Sequence, residues 1–196
     1  MGEKVTKKNE TTMNIKYIEG DIFAGINNDD SPGAIILPHV VNDKKAFGAG
    51  FVIPLARQFP IVKQEYLKWA ESDGYDVAFS EDPCFILGNT QFVNVDDKVF
   101  VANMLAQTLG GKRPLYYNHL ARCMDEVAQF VFSRTQSREH EARIFCPAFG
   151  SGLSGGYWPF VEQLIDDCWI RRNISVTVFY LKDTLPEGLV PVEIDQ

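Results

Sequence analysis

The sequence predicts a three-layer α/β/α fold built around a central mixed sheet. Strand-like and helix-like segments alternate along most of the chain, which is the pattern of a sheet covered by helices. Several of the strand-like segments are apolar nearly throughout, as in strands that are buried on both faces. The chain has 196 residues, 45% of them hydrophobic, which is enough to fill one sizeable core. We therefore expect a single α/β domain.

The predicted strands are rich in β-branched and aromatic residues. Little sequence separates the third strand from the fourth, so we expect these two to be antiparallel neighbours. The strands cover residues 14–20, 34–41, 84–95, 99–105, 142–149 and 175–181.

Four helices are predicted, over residues 50–58, 60–72, 114–134 and 157–171. The longest carries apolar residues at spacings of three to five, which gives it one apolar face. The residues of that face are Leu115, Leu120, Cys123, Met124, Val127 and Val131. The resulting order is strand, strand, helix, helix, two strands, helix, strand, helix, strand.

The first twelve residues, MGEKVTKKNETT, are polar and charged and offer almost nothing to bury. We interpret residues 1–12 as a disordered tail or an extension added for expression, with Met13 as the functional start. Residues 13–196 form the predicted domain.

Composition excludes several classes of function. The net charge of −7 and pI near 5.0 argue against a broad nucleic-acid-binding face or an anionic membrane surface as partner. The four cysteines are widely spread and form no CxxC pair, so neither a metal site nor a disulfide framework is indicated. No apolar run reaches the about 18–20 residues that a membrane span needs. A reduced, cytoplasmic setting is the expectation.

Two glycine loops carry the functional signal. Gly48-Ala49-Gly50 and Gly150-Ser151-Gly152 each lie between a predicted strand and a predicted helix. Loops of this kind present backbone N–H groups and the positive end of a helix dipole, which suits a phosphate group. In open α/β sheets such loops face one crevice beyond the strand ends. Each loop taken alone is also compatible with an ordinary turn.

Two common phosphate-binding fingerprints are missing. Gly48-Ala49-Gly50 continues as Phe51-Val52-Ile53, so the dinucleotide pattern GxGxxG is absent, and neither loop is followed by GxxxxGK[ST]. The sequence therefore favours a phosphate-bearing ligand that is held mainly by backbone groups.

With these loops the sequence resembles the macrodomain family of ADP-ribose-binding modules. The resemblance runs from about Asn14 to Leu181 and is carried by the segments YIEGDIF, PHVVNDKKAFGAGFVIPLARQFP, FCPAFGSGLSGGYWPFVEQLI and ISVTVFYL. The GAG and ARQFP segments are most similar to the branch with terminal ADP-ribose protein glycohydrolases and ADP-ribose 1″-phosphate phosphatases.

The resemblance implies a role for particular residues. Asp21 would accept a hydrogen bond from the adenine amino group, with the backbone of Ile22 beside the ring; an Asp after a strand also commonly caps a helix. His39 and Asn42 would lie near the distal ribose. Gln107 is a further polar candidate because of its place at the end of its predicted strand, not because of the resemblance. The loops around the ligand would comprise Gly48, Ala49, Gly50, Phe51, Phe149, Gly150, Ser151, Gly152, Leu153 and Ser154.

The sequence departs from the glycohydrolases of that branch at two points. Their strand lysine, which forms a covalent adduct with the ribose, is missing from VANMLAQ, and GSGLS has serine where their loop has aspartate. We therefore do not expect the lysine mechanism. Water held by Asn42 and a ligand phosphate, or activated by His39, is the alternative, since a histidine of ordinary pKa suits general-base work. His39 is equally well interpreted as a hydrogen-bonded, partly buried residue, and Asn42 with Asp43 as ordinary turn formers.

Two functions stay open at this stage. One is hydrolysis of a group on the distal ribose of an ADP-ribose derivative, with water as second substrate and no metal or cofactor. The other is a module that binds or sequesters ADP-ribose, or a related NAD-derived signal, without turnover. In both cases the expected partner is ADP-ribose or an ADP-ribosylated substrate, and the expected state is a monomer.

Overall fold

The computed structural model describes residues 14–71, 84–136 and 140–189. The predicted tail over residues 1–12 lies outside these ranges. The domain prediction can therefore be followed from Asn14 onward.

The described chain forms a six-stranded mixed sheet in the order β1-β6-β5-β2-β4-β3. Strand β3 is antiparallel to β4, and every other neighbouring pair is parallel. This confirms the predicted mixed sheet and its antiparallel pair. The strands are β1 Lys16–Glu19, β2 Ile35–Asn42, β3 Thr90–Asp96, β4 Val99–Gln107, β5 Arg143–Pro147 and β6 Val176–Tyr180.

Five α-helices connect the strands of the described segments, together with two short 3-10 helices over Ile170–Arg172 and Lys182–Thr184. The α-helices are α1 Ile22–Asn27, α2 Val52–Gln58, α3 Pro60–Glu71, α4 Tyr117–Arg134 and α5 Trp158–Cys168.

The helices lie on both faces of the sheet, which confirms the three-layer fold. One buried cluster contains the inward faces of α4 and α5, and a second contains those of α1, α2 and α3. Strand β2 contributes Ile36 to the first cluster and Ile35 and Leu37 to the second, because alternate side chains of a strand point to opposite faces. The apolar face predicted for α4 is buried in the first cluster.

The structure differs from the prediction in one additional helix and in several element boundaries. Helix α1 was not predicted; it has only six residues, too few to show helical periodicity. Strand β3 begins at Thr90 because residues 84–89 form turns. Helix α4 begins at Tyr117 rather than at residue 114, since Leu115 forms an isolated bridge with Gln107 of β4.

A cleft opens where β2 and β5 separate. Their ladder pairs only Ile35 with Arg143 and Ile36 with Ile144, although β2 continues to Asn42. After β2 the chain leads to α2 on one face, and after β5 it leads to α5 on the other face. Divergence of this kind at the carboxyl ends of parallel strands is where α/β sheets bind ligands.

Candidate functional site

The candidate site is a cleft of about 670 Å³ at the carboxyl ends of β2, β4, β5 and β6. Its volume lies within the roughly 300–1,000 Å³ that is typical of small-molecule sites. Both glycine loops line it. The predicted site residues on its wall are His39, Asn42, Ala49, Gly50, Phe51, Gln107, Phe149, Gly150, Ser151, Gly152, Leu153 and Ser154.

The second loop, residues 148–156, is held in shape by its own backbone and one serine. Gly150 has a φ of +77°, which favours glycine, and its carbonyl accepts a 2.8 Å hydrogen bond from the Gly156 N–H. A Cβ on Gly156 would lie 2.4 Å from that carbonyl oxygen. The Ser151 hydroxyl donates to the Ala148 carbonyl at 3.0 Å. These contacts set the loop before any ligand arrives.

This loop leaves a run of donors unused. Within the described residues, the N–H groups of Ser151, Gly152, Leu153 and Ser154 donate no hydrogen bond to the protein. All four residues line the cleft. Successive free backbone N–H groups form a concave site for anions, so this loop is suited to a phosphate group.

Gly152 is the position in this loop where glycine is not explained by the fold. Its φ lies outside the left-handed range, and a Cβ built on it would meet nothing within 4 Å. The missing side chain therefore keeps space open in the cleft.

Asn42 organises the first loop. Its Oδ1 accepts from the Lys44 N–H at 2.9 Å and the Ala46 N–H at 3.2 Å, while its Nδ2 donates to the Ala46 carbonyl at 2.6 Å. Gly50 then adopts a φ of +73° and accepts from the Ile53 N–H at the start of α2. Asn42 therefore lines the cleft, but much of its hydrogen-bonding capacity is used to fold the loop.

The two loops approach each other across the cleft. A Cβ on Gly50 would lie 3.5 Å from Cδ1 of Leu153, whose side chain is 74% exposed. An apolar side chain of that exposure at the rim of a site is available to pack against a bound molecule.

His39 lies at the base of the cleft in a buried polar row. Its Nε2 is 2.6 Å from Oδ1 of Asn103, whose Nδ2 donates to Oε1 of Gln91 at 2.9 Å. Gln91 Nε2 in turn donates to the Glu65 carbonyl at 3.1 Å. Burial lowers the pKa of His39 to about 4, although the hydrogen bond with Asn103 opposes this shift. His39 is therefore neutral at pH 7. The structure shows it as the buried, hydrogen-bonded residue that the sequence also allowed, while its role as a general base, which supposed an ordinary pKa, stays a prediction.

Gln107 and Ser154 bond to each other. The Ser154 hydroxyl donates to Oε1 of Gln107 at 2.5 Å, and the Ser154 carbonyl accepts from the Leu115 N–H. These contacts fasten the second loop to the end of β4. Two predicted ligand contacts thus also serve to position the loop.

Solved structures of known proteins have the same fold as this chain. A protein of unknown function from Bacteroides thetaiotaomicron is 34% identical, with a TM-score of 0.73, and the match covers 86% of this chain and 99% of that one. A macrodomain protein from Streptomyces coelicolor is also 34% identical, with a TM-score of 0.66 and coverage of 85% and 98%. The chain belongs to the macrodomain family.

More distant structures agree on the fold of this macrodomain. Thermosipho africanus DarTG, in complex with ADP-ribose, is 14% identical over 87% of this chain and 43% of that one, with a TM-score of 0.60. Neither a scan against protein-family models nor a search of curated proteins found a match.

Three predicted residues do not line the cleft of this macrodomain. Ile22 is buried in the core, and Gly48 is on the first loop away from the wall. Asp21 caps α1, since its Oδ1 accepts from the Phe23 N–H at 3.1 Å. It still lies close to the cleft, because the neighbouring Gly20 N–H donates to the carbonyl of Tyr180, a lining residue.

Sequence reasoning missed other parts of the site. Leu185, Pro186 and Glu187 complete the end of the cleft next to β6. Asn103 forms a hydrogen bond with His39, and Gln91 in turn accepts from Asn103. A signal for Asn103 was present, because it is a polar residue inside the apolar strand VFVANML.

The wall of the macrodomain cleft carries no positively charged side chain among the described residues. No Lys or Arg is among the described residues on its wall, where Glu187 is the charged side chain. Arg113 instead lies over the ring of Tyr117, 4.9 Å from its centroid.

The described segments contain no group of three His, Cys, Asp or Glu side chains that could hold a metal ion. They also contain no helix with the length and apolar character required to cross a bilayer.

Proposed function

We propose that this macrodomain binds ADP-ribose or an ADP-ribose derivative in the cleft. The observation that carries the proposal is the run of free N–H groups over Ser151–Ser154, which suits the pyrophosphate. Membership of the macrodomain family supports the same ligand, as does the fold shared with the ADP-ribose complex of the Thermosipho protein.

The ligand would lie along the cleft with its pyrophosphate between the two loops. The adenine ring would occupy the end formed by Tyr180 and Leu185, beside Asp21 and the Ile22 backbone. Asp21 can both cap α1 and accept from the adenine amino group, because capping uses one of its two carboxylate oxygens. The distal ribose would lie near His39, Asn42 and Gln107.

We further propose hydrolysis of a group attached to the distal ribose. Water would attack the anomeric carbon, so that the attached group leaves and takes up a proton, or the phosphorus of an attached phosphate, so that ADP-ribose leaves and takes up a proton on its hydroxyl oxygen. In both cases the attacking water loses a proton to solvent. His39 and Asn42 would orient that water. No lysine lies on β4, so a covalent amine adduct has no residue to form it there.

A second candidate is a macrodomain that binds ADP-ribose without turnover. It is favoured by the use of Asn42 in shaping the first loop and by the lowered pKa of His39, which makes the ring a weak base. Substitution of Asn42 cannot separate the two candidates cleanly, because it also removes the contacts that fold the loop.

Calorimetric titration with ADP-ribose, with AMP as control, tests the binding proposal. We expect one site with micromolar affinity, about −8 kcal/mol, and much weaker binding of AMP. Failure to bind ADP-ribose would refute it. Incubation of the same protein with ADP-ribosylated substrates, followed by analysis of released ADP-ribose, then decides between enzyme and binder.

Two substitutions at Asp21 test its adenine contact. Asp21→Ser keeps a side chain that caps α1 but removes the carboxylate, so we expect unchanged thermal stability and roughly tenfold weaker ADP-ribose binding. Asp21→Ala removes both and should in addition lower stability by about 1 kcal/mol. Equal affinity of Asp21→Ser and the unsubstituted protein, measured by the same titration, would remove Asp21 from the ligand site.

A further inference from the structure

The end of the cleft next to β6 is closed by a segment that follows the last strand of the sheet. We call residues 181–189 the strap. It leaves β6, passes through the 3-10 helix Lys182–Thr184 and then places Leu185, Pro186 and Glu187 on the cleft wall. The strap therefore forms one wall of the site without belonging to the sheet.

Hydrogen bonds to the described residues do not fix the part of the strap that lines the cleft. The Pro186 carbonyl accepts from the Leu189 N–H at 3.1 Å, which is a bond within the strap itself. No hydrogen bond joins residues 185–188 to a helix or to the sheet in the described segments. The strap is continuous with β6 at its first end, so its course over the cleft depends on how its other end packs.

That other end is docked on the helical layer of α4 and α5. Leu189 is 5% exposed and belongs to the buried cluster that contains the inward faces of these two helices. Gly188 has a φ of +86°, and a Cβ built on it would lie 2.8 Å from Cγ and Cδ of Pro159 and 3.4 Å from the ring of Tyr157. The strap therefore lies against the start of α5, directly after the second loop.

We propose that Leu189 is a positioning residue, which docks the strap on α4 and α5 and thereby holds Leu185 and Pro186 against the ligand. Leu189 is not on the cleft wall, so it would affect affinity only through the strap. The inference rests on the proposed function, and it assigns the strap to the adenosine half of ADP-ribose. A strap that is ordered before binding spares the ligand the cost of ordering it.

Two substitutions of opposite steric effect test the docking. Leu189→Ala removes packing at the anchor, whereas Gly188→Ala adds a Cβ that collides with Pro159 and disfavours the positive φ. We expect each variant to bind ADP-ribose about tenfold more weakly by calorimetric titration. Unchanged affinity in either variant would overturn the inference.

Val131→Ala is the matched control for loss of packing. Val131 is 2% exposed and belongs to the same buried cluster, but it lies in the last turn of α4 and not on the cleft wall. We expect lower thermal stability in this variant with unchanged ADP-ribose affinity. An equal loss of affinity in Val131→Ala and Leu189→Ala would show a general effect of core packing and would overturn the specific role of Leu189.

A double-mutant cycle tests whether Leu189 acts through the cleft wall. Leu185→Ala removes a strap side chain that we place beside the ligand, and Leu189→Ala is then added to it. Residues that act through one another give non-additive losses. We expect the added substitution to weaken ADP-ribose binding by less than about threefold, compared with about tenfold when it is made alone. Additive losses would show that Leu189 acts by another route and would refute the proposal.

Hydrogen exchange of the unsubstituted protein tests the strap without any variant. Exchange of the Leu189 amide, which donates to Pro186, reports the opening of the strap. Saturating ADP-ribose should slow this exchange about tenfold, because the ligand would bind the docked strap and not the open one. An exchange rate that bound ADP-ribose does not change would overturn the inference.

The outcomes also separate this inference from the proposed function. If the unsubstituted protein does not bind ADP-ribose, the proposed function fails and the inference falls with it. If it binds ADP-ribose and the strap variants bind equally well, the proposed function stands and only the inference fails.

Discussion

Gly152→Val is expected to weaken ADP-ribose binding by at least 30-fold and to leave the stability of the macrodomain nearly unchanged. The loss corresponds to about 2 kcal/mol of binding free energy. Calorimetric titration measures the affinity, and guanidinium denaturation of the same preparations measures the stability. We therefore expect this substitution to change the affinity for ADP-ribose far more than the free energy of unfolding.

The effects on affinity and on stability differ because of where a side chain at residue 152 would lie. A Cβ built there meets no protein atom within 4 Å, and the backbone is not in the left-handed region, so valine should cost the fold little. The same position lies between the N–H groups of Ser151 and Leu153 on the cleft wall. Branched methyl groups would therefore occupy the space that the pyrophosphate needs to reach those donors.

Gly48→Val is the matched control. Its added Cβ also meets nothing within 4 Å, but Gly48 is not on the cleft wall. We expect a change in affinity of less than about threefold. Unchanged affinity in Gly152→Val would show that the second loop does not hold the ligand, whereas a large loss in Gly48→Val would place Gly48 beside the ligand, as its sequence position first suggested.

Gly156→Ala checks that the second loop is as rigid as its contacts indicate. The added Cβ would lie 2.4 Å from the Gly150 carbonyl oxygen and 2.6 Å from a methyl of Leu115. Since both neighbours are buried, the loop must shift, and we expect lower thermal stability together with weaker binding. Normal stability and affinity in this variant would show that the loop is easily deformed.

The sequence predicted the parts of this site that depend on local pattern. Gly50 and Gly150 follow strands and precede helices, and both do adopt positive φ beside one cleft. Such junctions are recognisable because glycine at an element boundary has few other uses. The apolar strands likewise identified a sheet covered on both faces.

The parts that depend on strand register could not be predicted. Asn103 meets both His39 and Gln91 only because β4 lies between β2 and β3, and the sequence does not give the pairing of these strands. The short helix α1 escaped prediction for a different reason: its six residues cannot display a repeat, and Asp21 as its cap looked the same as Asp21 as an adenine contact. Leu185 and Pro186 reach the cleft from a segment without a recognisable motif.

The buried position of His39 in its row with Asn103 and Gln91 also predicts how the free energy of unfolding depends on pH. His39 has an ordinary pKa near 6.5 in the unfolded chain and a pKa of about 4 in the folded protein, because burial disfavours its charged form. The unfolded state therefore binds a proton that the folded state does not, and folding is favoured most above pH 6.5. This contribution, about 3 kcal/mol, should be lost as the pH falls from 6.5 towards 4.

Comparison of the unsubstituted protein with His39→Gln isolates this contribution. Glutamine can still donate to Asn103 but does not titrate. Two other groups with shifted pKa values, Asp29 with a lowered and Glu126 with a raised pKa, are present in both proteins. Their effects cancel in the difference between the two unfolding free energies. Guanidinium denaturation between pH 7.5 and 4 should show that difference shrinking by about 3 kcal/mol in the direction of acid. A difference independent of pH would mean that His39 is hydrated or charged in the folded protein, and its description as a neutral, buried side chain would then be wrong.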